Sequence, residues 1–152
     1  MLINQQSETN LCKIRNGPKG RGLFARSVIP SGTSIHEAPC IRVFKKEYEN
    51  SMCHTVLEHY LFNVAGGDKL LALGYGSLFN HSGHPNVDYQ VDAANLCIRY
   101  HSGHNIQKDE ELCISYVENL WFEDASSGSQ ESSEAKQKTL EGIASFLNNI
   151  AQ

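Results

Sequence analysis

No two of the five cysteines, Cys12, Cys40, Cys53, Cys97 and Cys113, are close enough in sequence to form a CxC or CxxC pair. That spacing argues against a thiolate zinc site and a disulfide framework, and predicts reduced, mostly buried thiols. No apolar run approaches the length of a membrane span, so no membrane partner is expected. The N-terminus lacks a basic region followed by an apolar one, which predicts no secretory signal and an intracellular location. There is no Lys/Arg cluster beyond Lys45-Lys46, and the net charge is −4. Direct nucleic-acid binding needs phosphate neutralisation and is disfavoured; a basic peptide suits this charge better. What remains is a 152-residue chain, long enough to bury a core as one domain without staples.

Along the chain, residues 1–10 are a polar tail, and Leu11–Arg15 reads as a strand ended by Asn16-Gly17-Pro18. Lys19-Gly20-Arg21-Gly22 leads into the apolar Leu23-Phe24-Ala25, and Ile29–Thr33 makes another turn before strands at Ser34–Glu37 and Cys40–Phe44. Short strands punctuated by Gly and Pro predict a mainly β domain with short helices. Apolar residues at helical spacing predict a helix over Lys46–Glu58. From Tyr60 a hairpin across Ala65-Gly66-Gly67-Asp68 is favoured over more helix, and Val87–Val91 with Leu96–His101 predicts a second hairpin. Leu112–Tyr116 is the last strand expected. Residues 125–133 read as a Ser/Gly linker. A helix from about Ser133 carries Leu140, Ile143, Ala144, Leu147 and Ile150 on one apolar face.

Gly74–Val87 is too dense in turn-forming and polar residues for a core strand and reads as a site. Within it, His81-Ser82-Gly83-His84 is echoed by His101-Ser102-Gly103-His104, so four histidines could gather one metal ion in a histidine-rich metal-binding domain. No HExxH arrangement accompanies them, and Pro85 argues against a helix presenting the first pair.

Three segments, in order and at matching separations, resemble the SET domain of protein lysine methyltransferases. They are Gly20-Arg21-Gly22-Leu23-Phe24-Ala25, Asn80-His81-Ser82 with Pro85-Asn86, and Glu110-Glu111-Leu112 leading to Tyr116. Tyr60-Leu61-Phe62, Ala72-Leu73-Gly74-Tyr75-Gly76 and Ile114-Ser115-Tyr116 are similar to minimal SET proteins such as the viral SET histone methyltransferase. Gly83 stands where many members have cysteine, and Asp109 where most have glycine. No cysteine-rich segment follows Tyr116, so the zinc of many relatives is not implied. The resemblance implies a SET domain over 11–118, with small sheets around a pseudoknot, and a C-terminal extension over 119–152.

The resemblance further implies transfer of a methyl group from S-adenosylmethionine to a histone-tail lysine, in the nucleus, with the cytoplasm as a second location. Tyr116 would be the catalytic phenol and a cofactor contact; otherwise it is an ordinary strand-end tyrosine. Gly20, Arg21 and Gly22 would admit the cofactor to the backbone, with Arg21 contributing main-chain groups, unless they form a plain hairpin turn. Asn80 would touch the cofactor through its amide and His81 chiefly through its backbone, its ring locking the pseudoknot. Trp121 would cover the adenine and Phe122 wall the lysine channel, or both would clamp the terminal helix. Tyr60 and Tyr75 are further channel residues or simply core. An acidic rim of Glu37, Glu110, Glu111, Glu118, Glu123 and Asp124 would suit a basic tail. The Lys46–Glu58 helix and the terminal apolar face predict a homodimer. A catalytically silent, SET-like peptide-binding module is the other alternative.

Overall fold

A computed structural model describes residues 11–116, so the terminal helix, the linker, Trp121 and Phe122 lie outside the described residues. In chain order the elements are β1 (Cys12–Gly17), β2 (Gly20–Ala25), β3 (Ser34–Val43), α1 (Lys45–Asn50), β4 (Leu61–Asn63), β5 (Lys69–Ala72), β6 (Asn80–His81), β7 (Val87–Asp92), β8 (Cys97–Ser102) and β9 (Glu111–Ile114). The mainly β architecture expected from the sequence is present as two small sheets, ordered β1-β2-β9-β6 and β4-β5-β3-β8-β7. Among the described residues no helix is long and apolar enough to cross a membrane.

The first sheet is made by turn chemistry at one end and a parallel pairing at the other. Gly17 pairs with Gly20 across Pro18-Lys19, and Gly20 takes φ +87, a backbone that residues with a Cβ rarely adopt. At the far edge β6 runs parallel to β9, Asn80 opposite Cys113 and His81 opposite Ile114. The two segments that the resemblance expects to thread together therefore lie side by side. In the turn before β9, Asp109 takes φ +66, at the place where the resemblance expects glycine. A short acid tolerates this backbone, and its carboxylate is held by Lys13 and, at 3.0 Å, by Arg15. The Lys13 hydrogen bond in particular keeps the Asp109 carboxyl below its ordinary pKa.

Two expectations give way. The strands predicted at Ser34–Glu37 and Cys40–Phe44 are one ten-residue strand running through Pro39. Residues Ser34–Pro39 pair with β8 and Cys40–Val43 with β5, so the proline sits at the handover between partners. There its missing N–H costs little, while its carbonyl accepts from the Leu73 amide at 2.9 Å. The predicted Lys46–Glu58 helix breaks after Asn50 into two 3-10 turns, Met52–His54 and Val56–Tyr60. Thr55 is extended between them and its hydroxyl accepts from the Leu57 amide. Val56 is 68% exposed and Leu57 40%, so no core lies under the apolar stripe to enforce a continuous helix. The hairpin favoured from Tyr60 onward does form, as β4 against β5, and so does β7 against β8.

Core residues from both sheets pack together, with Leu23, Leu112 and Ile114 from the first and Ile35, Leu70, Ile98 and Tyr100 from the second. Tyr100 is fully buried, stacks on Phe79 at 4.2 Å and donates its hydroxyl to the Gly76 carbonyl at 2.9 Å. A Cβ on Gly76 would lie 2.6 Å from the Ala38 Cβ, so only glycine fits there. This packing anchors Gly74–Phe79 and thereby sets the entry to β6. Cys12, Cys40, Cys97 and Cys113 are buried, in keeping with the expectation for the thiols.

Candidate active site

Asn80 emerges from this anchored segment and closes a clasp. Its Nδ2 donates to the Glu111 carboxylate at 2.7 Å and reaches the Arg21 carbonyl at 3.4 Å. The three segments behind the resemblance thus meet at one side chain. Gly22 has to be glycine because a Cβ would stand 2.5 Å from Asn80 Nδ2 and 2.6 Å from Glu111 Oε1. Arg21 enters this clasp through its main chain. Gly20, in contrast, has no atom within 4 Å of where its Cβ would be, so its need for glycine is conformational.

His81 is 8% exposed and holds the end of β9. Its Nδ1 accepts the Tyr116 amide at 2.9 Å, which places the ring proton on Nε2, and the two rings lie 5.2 Å apart. This hydrogen bond explains why the last strand stops at Ile114 rather than Tyr116. The His81 carbonyl accepts from Lys19 Nζ at 2.7 Å. Tyr116 is half-buried, and its hydroxyl donates to the Phe79 carbonyl at 2.9 Å. Burial pushes its phenol up to about 12, and the Tyr60 phenol adds to this from nearby. Tyr60 is 44% exposed at the surface. Tyr75 packs on His36 at 5.7 Å, beside the core.

The four histidines of the metal alternative do not come together. His81 is committed to Tyr116, His84 and His104 are exposed, and His101 lies in β8 opposite Asp88. Among the described residues no three His, Cys, Asp or Glu side chains could hold a metal ion. Of the acidic rim, Glu37, Glu110 and Glu111 are among the described residues, and Glu118, Glu123 and Asp124 lie outside them. Glu37 meets Arg99 at 3.0 Å, Glu110 accepts from Asn86 Nδ2 and the Gln107 amide, and Glu111 serves Asn80.

The SET domain profile matches residues 20–117. A Schizosaccharomyces pombe histone-lysine N-methyltransferase, H3 lysine-37 specific, is 47% identical over 109 residues, covering 72% of this chain and 74% of the relative. The chain belongs to the SET domain family. A Plasmodium falciparum protein described as a candidate histone methyltransferase superposes on the SET domain with TM-score 0.58 and 30% identity, over 74% of this chain and 98% of that one. A humanized mutant of the Chaetomium thermophilum Polycomb Repressive Complex 2 shares the fold alone, with TM-score 0.59 and 17% identity over 73% of this chain and 15% of that one.

Sequence reasoning passed over several groups on which the SET site depends. Asn86, 5% exposed, stands in the second motif with no role assigned to it from the sequence; it donates to Glu110 Oε1 at 2.9 Å and the Glu111 carbonyl at 2.8 Å, and accepts the Cys113 amide at 2.8 Å. Glu111 lies inside a quoted motif and Lys19 just ahead of one, but their partners are 31 and 62 residues away. The Phe79 carbonyl is a main-chain group with no signature at all. One test of the clasp is Gly22→Ala. The added methyl must push Asn80 off Glu111, and unfolding by urea should show a loss of about 1–3 kcal/mol. A stability equal to that of the unaltered chain would contradict the close approach.

Proposed function

We propose that this SET domain is a protein lysine N-methyltransferase that moves a methyl group from S-adenosylmethionine to a lysine of a histone tail. The observation carrying this reading is the half-buried Tyr116 phenol, tied to the Phe79 carbonyl at 2.9 Å and packed against His81. The surrounding groups suit the cofactor. Open space at Gly20 admits it to the backbone, and the His81 carbonyl and Lys19 ammonium offer an acceptor and a donor side by side. On the resemblance, Trp121 covers the adenine and Phe122 walls the channel. When bound, the cofactor supplies a sulfonium methyl for in-line displacement by the lysine amine.

The protein's own part is desolvation and alignment. Bringing a lysine ammonium from its usual pKa near 10.4 to a neutral amine at pH 7 costs about 4.6 kcal/mol. A narrow channel walled by Tyr60 and Tyr116 lowers that cost by disfavouring the charged form. Tyr116 donates its proton to Phe79, so its oxygen lone pairs remain to orient the amine and the polarised methyl.

Histone H3 is the first substrate to test, given the name of the 47% identical relative. On this reading the protein acts in the nucleus as a chromatin regulator. Incubation with radiolabelled cofactor and core histones should label a histone band. No label in any histone, together with no cofactor binding by calorimetry, would sink the enzyme reading. A homodimer goes with this reading, supported by the exposed Phe44, Val56, Leu57 and Tyr60 around α1. Light scattering should give twice the chain mass at micromolar concentration, and a single-chain mass would exclude it.

A further inference from the structure

We propose that the β1–β2 hairpin and the turn before β9 form a docking surface for double-stranded DNA, on which Lys13, Arg15, Arg26 and Lys108 face the phosphates of the duplex that carries the histone substrate. This surface rests on the histone reading above for the identity of its partner, while DNA binding itself is measurable without histone or cofactor.

The net charge of −4 conceals an uneven distribution. Between Glu8 and Glu37 the chain carries Lys13, Arg15, Lys19, Arg21 and Arg26 and no acidic residue. β1 and β2 are built from this stretch, so the fold gathers these cations at one edge of the first sheet. Lys13 and Arg15, two positions apart on β1, project from the same face, and both reach the Asp109 carboxylate, Arg15 at 3.0 Å. The Asp109 amide donates to the Ala25 carbonyl at 2.9 Å, which sets Lys108 and Arg26 at the same turn. Arg26 donates its Nε to the Cys12 carbonyl at 2.8 Å, so its guanidinium is held at the start of β1. Arg15, Arg26 and Lys108 are exposed, and Lys13 is half-buried.

Four cations thus share the neighbourhood of one acid. Among the described residues Asp109 is the carboxylate that pairs with Lys13 and Arg15. The second sheet is balanced differently: Arg99 meets Glu37 and Asp92 at 3.0 Å, and Lys45 meets Glu49 at 3.8 Å. A surplus of exposed cations along one edge is the electrostatic footprint for a polyanion, because each phosphate neutralised releases condensed counterions. Arg15 also lies over the Phe24 ring, 5.0 Å from its centroid, which limits the freedom it loses on meeting a phosphate. Histones are wrapped in DNA through contacts to its phosphates, so a tail lysine is presented beside a polyanion. β1 is one edge of the first sheet and β6, with Asn80 and His81, is the other. DNA against the first edge leaves the second open to the tail.

The test is fluorescence anisotropy of the full chain with two labelled DNA duplexes of unrelated sequence, at about 50 and about 200 mM salt. Wild type should bind both alike, with log K falling against log[salt] at a slope of about −3 to −4, roughly one unit for each phosphate engaged. Arg15→Gln combined with Lys108→Gln should make the slope shallower by about 2 and weaken binding about 10-fold at the lower salt. Asp109→Asn keeps a side chain suited to a positive φ and removes the one negative charge, so it should tighten binding about threefold or more. Arg42→Gln combined with Lys46→Gln removes the same charge from the second sheet and β3–α1 junction and should leave binding within about twofold. Methylation of nucleosomal H3 should fall about 10-fold in the Arg15/Lys108 variant while that of free H3 stays within about twofold. Thermal melting of each variant guards against a folding defect. No DNA binding by wild type, equal weakening by the two double variants, unchanged affinity in Asp109→Asn, or equal loss on free and nucleosomal H3 overturns the assignment. So does competition by polyglutamate as effective as that by unlabelled DNA at equal charge, which would make the surface a site for acidic peptides. The expected DNA binding with no label in free or nucleosomal histone would leave the surface standing and bring down the histone reading instead.

Discussion

Replacing Tyr116 with phenylalanine is expected to lower methyl transfer by about 100-fold or more, the scale seen when a single oriented polar group is removed from a reacting centre. The fold should survive. The Phe ring fills the same space against His81, and the lost bond to the Phe79 carbonyl costs about 1 kcal/mol. The pH dependence separates an orienting phenol from a base. Burial raises the Tyr116 phenol from 10.0 to about 12, so it remains protonated wherever the protein would be assayed. Because the folded value is the higher one, the associated stability is fully present below pH 10 and is lost as pH rises towards about 12. The wild-type rate should therefore rise with pH as the substrate lysine loses its proton, with no falling limb from Tyr116 below pH 10. Tyr116→Phe should run parallel at a lower level. A variant within a few-fold of wild type, or one whose rising limb disappears, would remove Tyr116 from the role assigned to it.

The second large effect is on stability. Asn86→Ala leaves the buried Cys113 amide and the Glu111 carbonyl without the Asn86 side chain and removes the donor to Glu110 Oε1. At about 1–3 kcal/mol for each orphaned buried group, the loss should be about 3–5 kcal/mol, read by urea unfolding. The melting temperature should drop by roughly 10 °C. Asn86→Asp should fare no better, because a carboxylate there faces the Glu110 carboxylate and the Glu111 carbonyl. A loss below about 1 kcal/mol would mean that β9 does not depend on Asn86 for its seating.

Both predictions concern residues that lie within the motifs of the resemblance, and they differ in how well the sequence disclosed them. Tyr116 was identifiable because its role attaches to a side chain at a fixed place in a motif. Asn86 was quoted in a motif, yet its three bonds reach residues 24 to 27 positions away and leave no local pattern. The helix expected over Lys46–Glu58 shows the opposite failure. Its periodicity is real, but Val56, Leu57 and Tyr60 are exposed among the described residues, so the pattern had no core to act on. Pro39 misled for a related reason. A proline ends a strand only if its N–H is needed, and that depends on which strand lies beside it.

The sequence by itself determined the local geometry and the family: hairpins at Gly17–Gly20 and Ala65–Asp68, alternating strands over β7 and β8, and three motifs in order. These depend on short-range sterics and on residue types at given spacings, which a linear string carries in full. Only the tertiary structure decided the partners: Asn80 with Glu111 over Gly22, His81 with the Tyr116 amide, Lys19 with the His81 carbonyl, and the Tyr116 hydroxyl with Phe79. Each of these bonds joins segments more than thirty residues apart. Which donor meets which acceptor is set by the parallel pairing of β6 with β9 and by the core that seats both.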